Sequence, residues 1–376
     1  MDYCDVAIVG GGPAGSSCAW ALRHSGLDVL IIDRANFPRD KVCAGWITPP
    51  VIELLDIDTA GYARDRTFQP ITSFQISCME EEPLSISFDE PVSYGIRRCE
   101  FDTFLLRRCG ARVREGVQVK RIERQQDSWV INDEIRTRML VGAGGHFCPV
   151  AKYVSQKDGA AGLVVAQESE FELDATHAPT CAAGTVELLF CRDLEGYAWI
   201  FRKENYLNVG LGRVDSRNLP KHFAQFWDRY RQAAGIPALP AKSVHGHAYL
   251  LYGNSRRAVA GDGILLIGDA AGLAAPHSGE GIRPAIESGI LAARTILDAR
   301  PDYRSKRLSS YENSITSTFN GASGSVSKLA EYLPRKLRTA LGRRLLRNRR
   351  FCRDVVINDW FCGRNRPSDY GRIVAL

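Results

Sequence analysis

A glycine-rich turn near the N-terminus contains the first residues whose types and spacing could do chemistry. The GxGxxG pattern of a dinucleotide-binding turn is matched by Gly10, Gly12, Pro13, Ala14 and Gly15. In such a turn, glycines let the backbone approach a pyrophosphate, and the next helix directs free N–H groups at it. Asp33 ends the following apolar run, where a carboxylate can accept a hydrogen bond from a ribose hydroxyl. The pattern predicts a bound dinucleotide but leaves NAD and FAD open, and a structural turn without a ligand is the alternative.

A second glycine-rich turn, about 260 residues further along the chain, decides between those two cofactors. Its residues are Gly268, Asp269, Pro276, Gly279, Gly281 and Ile282. An aspartate at a strand end can bind a ribityl hydroxyl, and the N-terminus of the next helix can face phosphate or the polar edge of a flavin. Two turns at the two ends of one split domain favour FAD. The alternative is a glycine-rich loop that binds no ligand.

The elements that must position these turns are predicted from apolar periodicity. Residues 3–33 fit a strand, a helix and a second strand. Alternating runs predict antiparallel strands within 70–95 and 160–255, and buried strands are expected at 138–145 and 263–269. Helices are predicted over 98–108, over 219–235 with Gly235 at the end, and from about 283 to 299.

Together these elements describe an α/β chain with a Rossmann-like FAD-binding domain and an inserted antiparallel β-sheet domain for the substrate. A helical segment follows at the C-terminus. The predicted FAD-binding domain is discontinuous and comprises residues 1–70, 96–160 and 256–300. The substrate domain takes residues 71–95 and 161–255, and the C-terminal helical region takes residues 301–376.

The overall composition is that of an ordinary globular protein. Of the 376 residues, 45% are apolar and 24% are charged, which suits a large core and argues against disorder. No apolar run approaches the ~18 residues that span a bilayer, and no secretory leader is recognisable. The eleven cysteines include no CxxC pair. We therefore expect a cytoplasmic protein with reduced thiols and no metal site.

Positive charge is concentrated in one C-terminal element. Residues 335–353 hold nine Lys or Arg and no acid, which leaves the rest of the chain at about −3 although the net charge is +6. A helix is expected from Leu333 to Arg353. Its leucines recur at near-helical spacing, at Leu337, Leu341, Leu345 and Leu346.

Two interpretations of this basic element stay open. It could contact an anionic membrane or headgroup, or it could be an amphipathic helix docked on the protein with its charges in water. The docked helix is favoured. Nucleic acid is not an expected partner, because no aromatic platform accompanies the basic run.

Several segments resemble one group of flavoproteins. Both turns and Arg98-x-x-Phe101-Asp102-x-x-Leu105 are similar to the superfamily that includes para-hydroxybenzoate hydroxylase. Residues 37–45 resemble the PRxKxCGG segment of geranylgeranyl reductases, and residues 197–203 with 209–212 resemble their YxWxFPK and VGxG segments. The likeness covers most of residues 3–300 and identifies the chain as a geranylgeranyl reductase family flavoprotein. Such enzymes reduce isolated double bonds of prenyl chains on lipids, chlorophyll precursors or quinones.

The resemblance implies a set of cofactor-binding residues. Asp33 would bind the adenosine ribose, and Arg98 would lie along the FAD near its phosphates. Asp269 would hold the ribityl–phosphate region, while residues 279–282 would present backbone N–H groups to the flavin ring. The predicted set is completed by Arg34 and Lys41.

The resemblance also places a substrate side. Cys43 would lie close to the flavin ring, and Tyr197 and Trp199 would line the substrate cavity. These two aromatic residues are two apart on a predicted strand and so share one face of the sheet, although such a pair can also be ordinary core. Reducing an unactivated alkene needs a hydride on one carbon and a proton on the other. Cys43 is the predicted catalytic residue, since a thiol can transfer a proton near neutral pH; the alternative is that it only packs against the ring.

Three departures from the family pattern bear on the chemistry. Ala44 replaces the first glycine after the cysteine, and Arg202 replaces a proline. A GADG turn of the family is here Gly142-Ala143-Gly144-Gly145, without its aspartate. This last change leaves the electron donor open between NADPH and another reductant.

The expected partner is a hydrophobic small molecule or a lipid. The main alternative function is a flavin-dependent monooxygenase or halogenase acting on an aromatic natural product, because the fold alone does not separate these activities. A third alternative is a flavin-binding redox sensor or carrier, which a cavity lined by aromatic residues would disfavour.

Overall fold

Three β-sheets organise the computed structural model, which describes residues 1–154, 163–173, 182–215, 217–236, 243–253, 257–319 and 334–364. The strands in chain order are β1 (Asp2–Val9), β2 (Val29–Ile32), β3 (Trp46–Ile47), β4 (Gln69–Ile71), β5 (Ser73–Cys78), β6 (Leu84–Ser87), β7 (Ser93–Gly95), β8 (Arg112–Arg114), β9 (Ile122–Gln125), β10 (Ser128–Ile131), β11 (Ile135–Gly142), β12 (Leu163–Glu172), β13 (Thr185–Phe190), β14 (Gly196–Lys203), β15 (Tyr206–Arg213), β16 (His245–Leu250), β17 (Ala260–Gly261) and β18 (Ile264–Leu266). The α-helices are α1 (Pro13–Leu22), α2 (Pro49–Leu54), α3 (Thr59–Tyr62), α4 (Arg98–Arg108), α5 (Leu219–Ala234), α6 (Ile282–Ala299), α7 (Ser305–Phe319), α8 (Arg335–Leu345) and α9 (Arg349–Phe351).

The eight-stranded sheet forms the predicted Rossmann-like half. β1 lies between β2 and β11 and is parallel to both, and β8 and β18 extend the sheet in the same direction. The apolar run at residues 6–9 is buried, as expected for a central parallel strand that is covered on both faces. Helices α1 and α6 pack against each other and contribute to the same hydrophobic core. The two ends of the chain therefore build one unit, as the sequence predicted.

The seven-stranded sheet is the predicted β-rich module, with the order β16-β12-β15-β14-β13-β5-β6. Its neighbours are antiparallel apart from β5 and β13, which run parallel and belong to separate segments of the chain. One face packs against α5 through Phe223, Phe226 and Trp227. The other face packs against the C-terminal segment through residues such as Val356 and Ile357.

The three-stranded sheet, β3-β7-β4, lies where the predicted domains meet along the chain. The predicted limit at 70/71 falls within β4, and the limit at 95/96 coincides with the end of β7. The limits at 160/161 and 255/256 lie outside the described residues. The division into domains stays a prediction.

Two of the predicted helices have the expected bounds. α4 begins at Arg98 and ends at Arg108, and α5 is followed by Gly235, which adopts φ 66° and closes the helix. α6 begins at Ile282, next to the expected position.

The prediction of one continuous helix from Leu333 to Arg353 is wrong. Leu333 itself lies outside the described residues. α8 ends at Leu345, and a new helix begins after Asn348, whose side-chain oxygen accepts a hydrogen bond from the N–H of Phe351. This cap interrupts the helix. A π-helical segment, Cys352–Phe361, continues the chain. Among the helices described, none is long and apolar enough to cross a membrane.

Candidate active site

A cavity of about 580 Å³ extends from the carboxyl ends of β1, β2 and β11 to one face of the seven-stranded sheet. The predicted site residues that border it are Gly10, Gly12, Pro13, Ala14, Asp33, Arg34, Lys41, Cys43, Arg98, Tyr197, Trp199, Asp269, Gly279, Gly281 and Ile282. Three predicted residues do not border it: Gly15, Gly268 and Pro276. The two glycine-rich turns therefore meet at one cavity, which also reaches the predicted substrate residues.

Asp33 holds the first turn in place. Its Oδ2 accepts a hydrogen bond from the N–H of Gly11 at 2.7 Å, and its Oδ1 accepts one from the N–H of Ala35 at 2.9 Å. Each carboxylate oxygen has further acceptor capacity, and the side chain borders the cavity. Asp33 can therefore fix the turn and still accept a hydrogen bond from a ribose hydroxyl.

A buried charge cluster lies next to this turn. Arg98 donates to both carboxylate oxygens of Asp102 at 2.8 Å, and Arg39 Nη2 lies 3.3 Å from Asp102 Oδ2. Burial alone would lower the pKa of Arg98, but Asp102 and Cys43 outweigh burial and raise that pKa. Arg98 therefore stays charged and directs much of its guanidinium to Asp102, which positions it firmly at the cavity wall.

Arg39 provides a test of whether this site fits an anionic cofactor. Its Nη1 is buried without a hydrogen-bond partner in the described part of the chain. Its Nη2 is the nearest atom, at 3.5 Å, to the place where a Cβ on Gly12 would lie. An unpaired guanidinium nitrogen beside an open glycine backbone suits a phosphate oxygen. The residues present therefore fit the pyrophosphate of FAD.

A chain of three polar side chains crosses the cavity from the loop after β2 to the second turn. Lys41 Nζ lies 3.2 Å from His247 Nδ1, and His247 Nε2 lies 3.4 Å from Asp269 Oδ2. Burial alone would raise the pKa of Asp269, but the hydrogen bond and charge of His247 and the charge of Lys41 outweigh it and lower that pKa. Burial lowers the pKa of Lys41. His247 thus connects two predicted cofactor-binding residues and helps to keep Asp269 ionised.

The loop that carries Cys43 is attached to the seven-stranded sheet. The N–H of Cys43 donates to Glu168 Oε1, and Asn208 Nδ2 lies 3.5 Å from the carbonyl oxygen of Cys43. The N–H of Gly45 approaches Cys43 Sγ at 3.4 Å. The thiol borders the cavity, so its position is compatible with a role in the reaction or with packing, and its catalytic role stays a prediction.

Two glutamates on β12 have opposite protonation preferences although they are two residues apart. Burial raises the pKa of Glu168 to about 7, against the lowering effects of the Cys43 N–H and of Lys203. Burial alone would also raise the pKa of Glu170, but Lys203 and Asn208 outweigh it and lower that pKa. Glu170 therefore stays ionised near neutral pH, whereas Glu168 can hold a proton there.

Aromatic side chains form the wall of the cavity on the sheet side. The rings of Tyr197 and Trp199 lie 5.9 Å apart on the same face of β14. Phe361, from the C-terminal π-helical segment, packs edge-on against Tyr197 at 5.3 Å and stacks on Trp46 at 5.2 Å. All four side chains border the cavity. Such a wall suits a hydrophobic ligand.

Gly210 explains why the VGxG segment accompanies the tryptophan of the YxWxF segment. Gly210 is paired with Trp199 on one side and with Glu168 on the other. A Cβ at Gly210 would come within 2.6 Å of Trp199 Cη2, closer than real Cβ contacts. The indole Nε1 donates to Asn208 Oδ1 at 2.7 Å. The indole therefore lies over the glycine, in a place that a side chain would occupy.

Several residues at the cavity were not predicted as site residues: Arg39, Trp46, Glu168, His247, Tyr249 and Phe361. Strand alternation could have found Glu168, because every second residue of β12 faces the same side. Arg39 lies inside the segment that carries the family resemblance. Phe361 had no such signal, since only the tertiary fold brings the C-terminal segment to the sheet.

The chain is similar to known proteins over most of its length. A family model described as "FAD binding domain" matches residues 3–317. A menaquinone reductase of Mycobacterium tuberculosis is 31% identical over 330 residues, which cover 80% of this chain and 78% of the relative. A digeranylgeranylglycerophospholipid reductase of Methanocaldococcus jannaschii is 26% identical over 333 residues, which cover 83% and 82%.

One solved structure has a similar fold over nearly the whole chain. It is a geranylgeranyl bacteriochlorophyll reductase-like protein from Thermoplasma acidophilum, with a TM-score of 0.73 and 22% identity. The match covers 92% of this chain and 88% of the other. At this identity the likeness shows the fold alone.

Proposed function

The chain belongs to the geranylgeranyl reductase family of FAD-dependent oxidoreductases, and we propose that it reduces carbon–carbon double bonds in the prenyl chain of a hydrophobic substrate. One observation carries the proposal. The cavity that begins at the two glycine-rich turns continues to the aromatic wall formed by Trp46, Tyr197, Trp199 and Phe361. A prenyl chain and the cofactor could thus share one site. The menaquinone and digeranylgeranylglycerophospholipid reductases among the relatives support a prenylated substrate.

The residues at the turns would hold the cofactor. The Gly10–Gly15 turn and Arg39 suit the pyrophosphate, Asp33 suits a ribose, and Asp269 suits the ribityl region. When bound in its reduced form, FAD supplies a hydride. Cys43, Arg34, Lys41 and Arg98 would lie around it as the family resemblance implies.

Tyr197 contributes rigidity to the substrate side. Its hydroxyl donates a hydrogen bond to the carbonyl oxygen of Ser278, which ties the aromatic wall to the second glycine-rich turn. Burial raises the pKa of Tyr197 well above its ordinary value, so the phenol stays neutral. The aromatic wall can exclude water and keep the prenyl chain against the second turn.

The electron acceptor can be identified in a single-turnover experiment. The FAD-loaded protein is reduced with dithionite without oxygen and then mixed with geranylgeranyl diphosphate, menaquinone or digeranylgeranylglycerophospholipid. We expect at least one acceptor to restore the absorbance of oxidised flavin and to gain two hydrogens within its prenyl chain, located by fragmentation in the mass spectrometer, since reduction of a quinone ring would add the same mass. If no prenyl acceptor reacts, but air forms a flavin hydroperoxide absorbance rapidly, the protein is a monooxygenase or halogenase instead.

Helix α8 contacts loops of the seven-stranded sheet, which supports the interpretation that the basic element is docked on the protein. Arg343 pairs with Glu81, Arg335 Nη2 lies 3.3 Å from Glu195 Oε1, and Leu346 is buried. The other three leucines of the predicted series remain in solvent. Their exposed fractions are 55% for Leu337, 45% for Leu341 and 36% for Leu345.

We also propose that this face of α8 contacts the surface of an anionic membrane. The three exposed leucines are four residues apart and so form one stripe, and arginines surround them. An apolar stripe flanked by arginines suits a headgroup boundary, where a lipid substrate would be found. Peripheral contact of this kind needs no spanning helix.

Vesicle binding tests the membrane contact. We expect Leu341→Glu to weaken sedimentation with phosphatidylglycerol vesicles by roughly tenfold, because it places a charge in the apolar stripe. The matched control is Tyr3→Glu, which adds the same charge at a side chain that is 63% exposed on β1. Equal loss in both variants would point to net charge alone, and no loss in Leu341→Glu would refute the contact.

A further inference from the structure

The proposed reaction leaves one hydrogen without an assigned source in the protein. Saturating a carbon–carbon double bond replaces the π bond by two C–H bonds, one formed with a hydride and the other with a proton. The proton donor must therefore lie on the substrate side of the cavity and be protonated at working pH. Four groups near the aromatic wall can carry such a proton: Cys43, Glu168, Tyr197 and Tyr249. Lys41, His247 and Glu280 also border the cavity, but the first two belong to the chain of polar side chains that ends at Asp269, and Glu280 accepts a hydrogen bond from the N–H of Arg283.

Two of these groups are poor acids. Burial raises the pKa of Tyr197 and of Tyr249 far above neutrality, so neither phenol gives up its proton readily. The hydroxyl of Tyr197 is also engaged with the carbonyl oxygen of Ser278. Cys43 and Glu168 remain, and they are adjacent because the N–H of Cys43 donates to Glu168 Oε1.

Glu168 has one oxygen engaged and one oxygen without a partner. Oε1 accepts the hydrogen bond from Cys43, whereas Oε2 is buried and has no hydrogen-bond partner among the described residues. The side chain is 5% exposed yet borders the cavity. A buried carboxylate oxygen that accepts no hydrogen bond costs free energy, because its charge is not compensated. A protonated carboxyl oxygen carries no charge and is a hydrogen-bond donor instead. This arrangement favours a proton on Oε2.

The sheet places that oxygen near the aromatic wall. Glu168 is paired with Gly210, and Gly210 is paired with Trp199 on its other side. Residues opposite one another in neighbouring strands face the same side of the sheet. Only Gly210 separates Glu168 from Trp199 across the sheet, so the carboxyl and the indole lie on the same side of the sheet and border the same cavity.

The charged groups that face Glu168 come from several elements. Glu170 lies on the same strand, Lys203 on β14 and Arg98 on α4. The loop contributes Lys41, and β16 contributes His247, which both border the same cavity. Burial outweighs the cations and raises the pKa of Glu168 to about 7, so the carboxyl can carry a proton near neutral pH.

We propose that Glu168 is the proton donor of the reaction and delivers the proton from Oε2 to the substrate carbon that does not receive the hydride. This inference rests on the proposed function. The Oε2–H bond breaks, its electron pair stays on the carboxylate, and a C–H bond forms from the π electrons of the alkene. Glu168 regains a proton from water between turnovers. Cys43 then supports the site through its backbone N–H and by packing.

The first variant to test is Glu168→Gln, whose amide oxygen can still accept the Cys43 N–H but which carries no transferable proton. We expect it to bind FAD with unchanged affinity and to be reduced by dithionite at the wild-type rate. Its reoxidation by a prenyl acceptor should slow by roughly a hundredfold or more. The wild-type rate should fall as pH rises through about 7, because the protonated carboxyl disappears, and the variant should lose this pH dependence. Glu172→Gln, the same change at an exposed position of the same strand, is the matched control and should retain the activity and the pH profile. Cys43→Ala tests the other candidate donor, because the thiol would be the proton source if that variant alone lost the pH dependence.

A second measurement does not depend on turnover. Infrared difference spectra of the FAD-loaded protein should contain the carbonyl stretch of a protonated carboxyl that titrates near pH 7 and is absent from Glu168→Gln. Glu168→Asp provides a milder variant, which should keep the pH dependence at a reduced rate. The proposal is overturned if Glu168→Gln reacts normally, if it is slow with an unchanged pH profile, or if Cys43→Ala alone loses the pH dependence. If no prenyl acceptor reoxidises the wild-type protein, the proposed function is refuted, and this inference with it.

Discussion

Replacing Gly210 by alanine is expected to abolish reduction of the prenyl acceptor and to lower the free energy of unfolding by about 2 to 4 kcal/mol. The new Cβ would overlap the indole of Trp199. The ring is held by the hydrogen bond from Nε1 to Asn208, so it must give up that bond to move. The aromatic wall would be displaced with it, whereas the Gly10–Gly15 turn, which belongs to the eight-stranded sheet, would keep its geometry.

Gly212 offers a matched control for this prediction, because it is two residues further along β15 on the same face. A Cβ at Gly212 would meet its nearest atoms at 3.8 Å, which is ordinary contact. Gly212→Ala should therefore leave both stability and activity near wild type. Urea unfolding and single-turnover reoxidation measure the two effects, and FAD absorbance checks that the cofactor remains bound. Similar losses in both alanine variants would contradict the steric explanation.

Coupling to Trp199 can be measured with a double-mutant cycle. If the indole is the group that clashes, Trp199→Phe should recover part of the stability lost in Gly210→Ala. Additive losses would mean that the strand itself, rather than the ring, does not tolerate the alanine.

The parts of the fold that the sequence predicted are those encoded locally. The Gly10–Gly15 turn lies between an apolar strand and a helix, and α5 ends at Gly235, a residue suited to positive φ. The interruption between α8 and α9 was missed, because basic and apolar periodicity continue through Asn348 and conceal the cap. β16 lies within the segment 160–255 that was predicted to be mostly β, but it was not singled out, because its sequence, HGHAYL, is half polar and its edge position exposes much of it.

The candidate site was predictable to the extent that short segments carry it. Both glycine-rich turns could be recognised from their spacing, and the Cys43 segment from its resemblance to the family. His247 and Phe361 could not, because each reaches the cavity through a tertiary contact between segments far apart in sequence. The raised pKa of Glu168 could not be predicted from the sequence either, because it depends on burial in the folded chain. Glu168 and Glu170 are the same residue type on the same face, and the contacts of Glu170 with Lys203, Asn208 and Arg97 separate their behaviour.

Lys203 is the second position where a large effect is expected. Its side chain is fully buried, pairs with Glu170, and donates to the carbonyl oxygen of Ile96 at 2.9 Å. Lys203→Met should lower the free energy of unfolding at neutral pH by about 3 to 5 kcal/mol, because it leaves the carboxylate of Glu170 buried with less compensation. Arg97 and the side-chain amide of Asn208, each at 3.2 Å from Glu170, supply the remaining compensation.

The dependence of this loss on pH distinguishes a charge effect from a packing effect. In the wild-type protein the pKa of Glu170 is lowered, so its contribution to stability is present above the unfolded pKa of about 4.3 and is lost as pH falls below that value. Without Lys203 the pKa of Glu170 should rise. The loss of unfolding free energy in Lys203→Met should then be largest at pH 7 to 8. It should become smaller toward pH 5, where Glu170 can take up a proton.

Urea unfolding of both proteins at pH 5 and pH 8 measures this difference. We expect the gap in unfolding free energy between wild type and Lys203→Met to narrow at the lower pH. Lys203→Arg keeps the charge in a larger side chain and serves as the control, because any loss it causes should not depend on pH in this way. A gap of constant size would show that Lys203 stabilises the sheet by filling space, and the lysine of the YxWxFPK-like segment would then owe its position to packing rather than to Glu170.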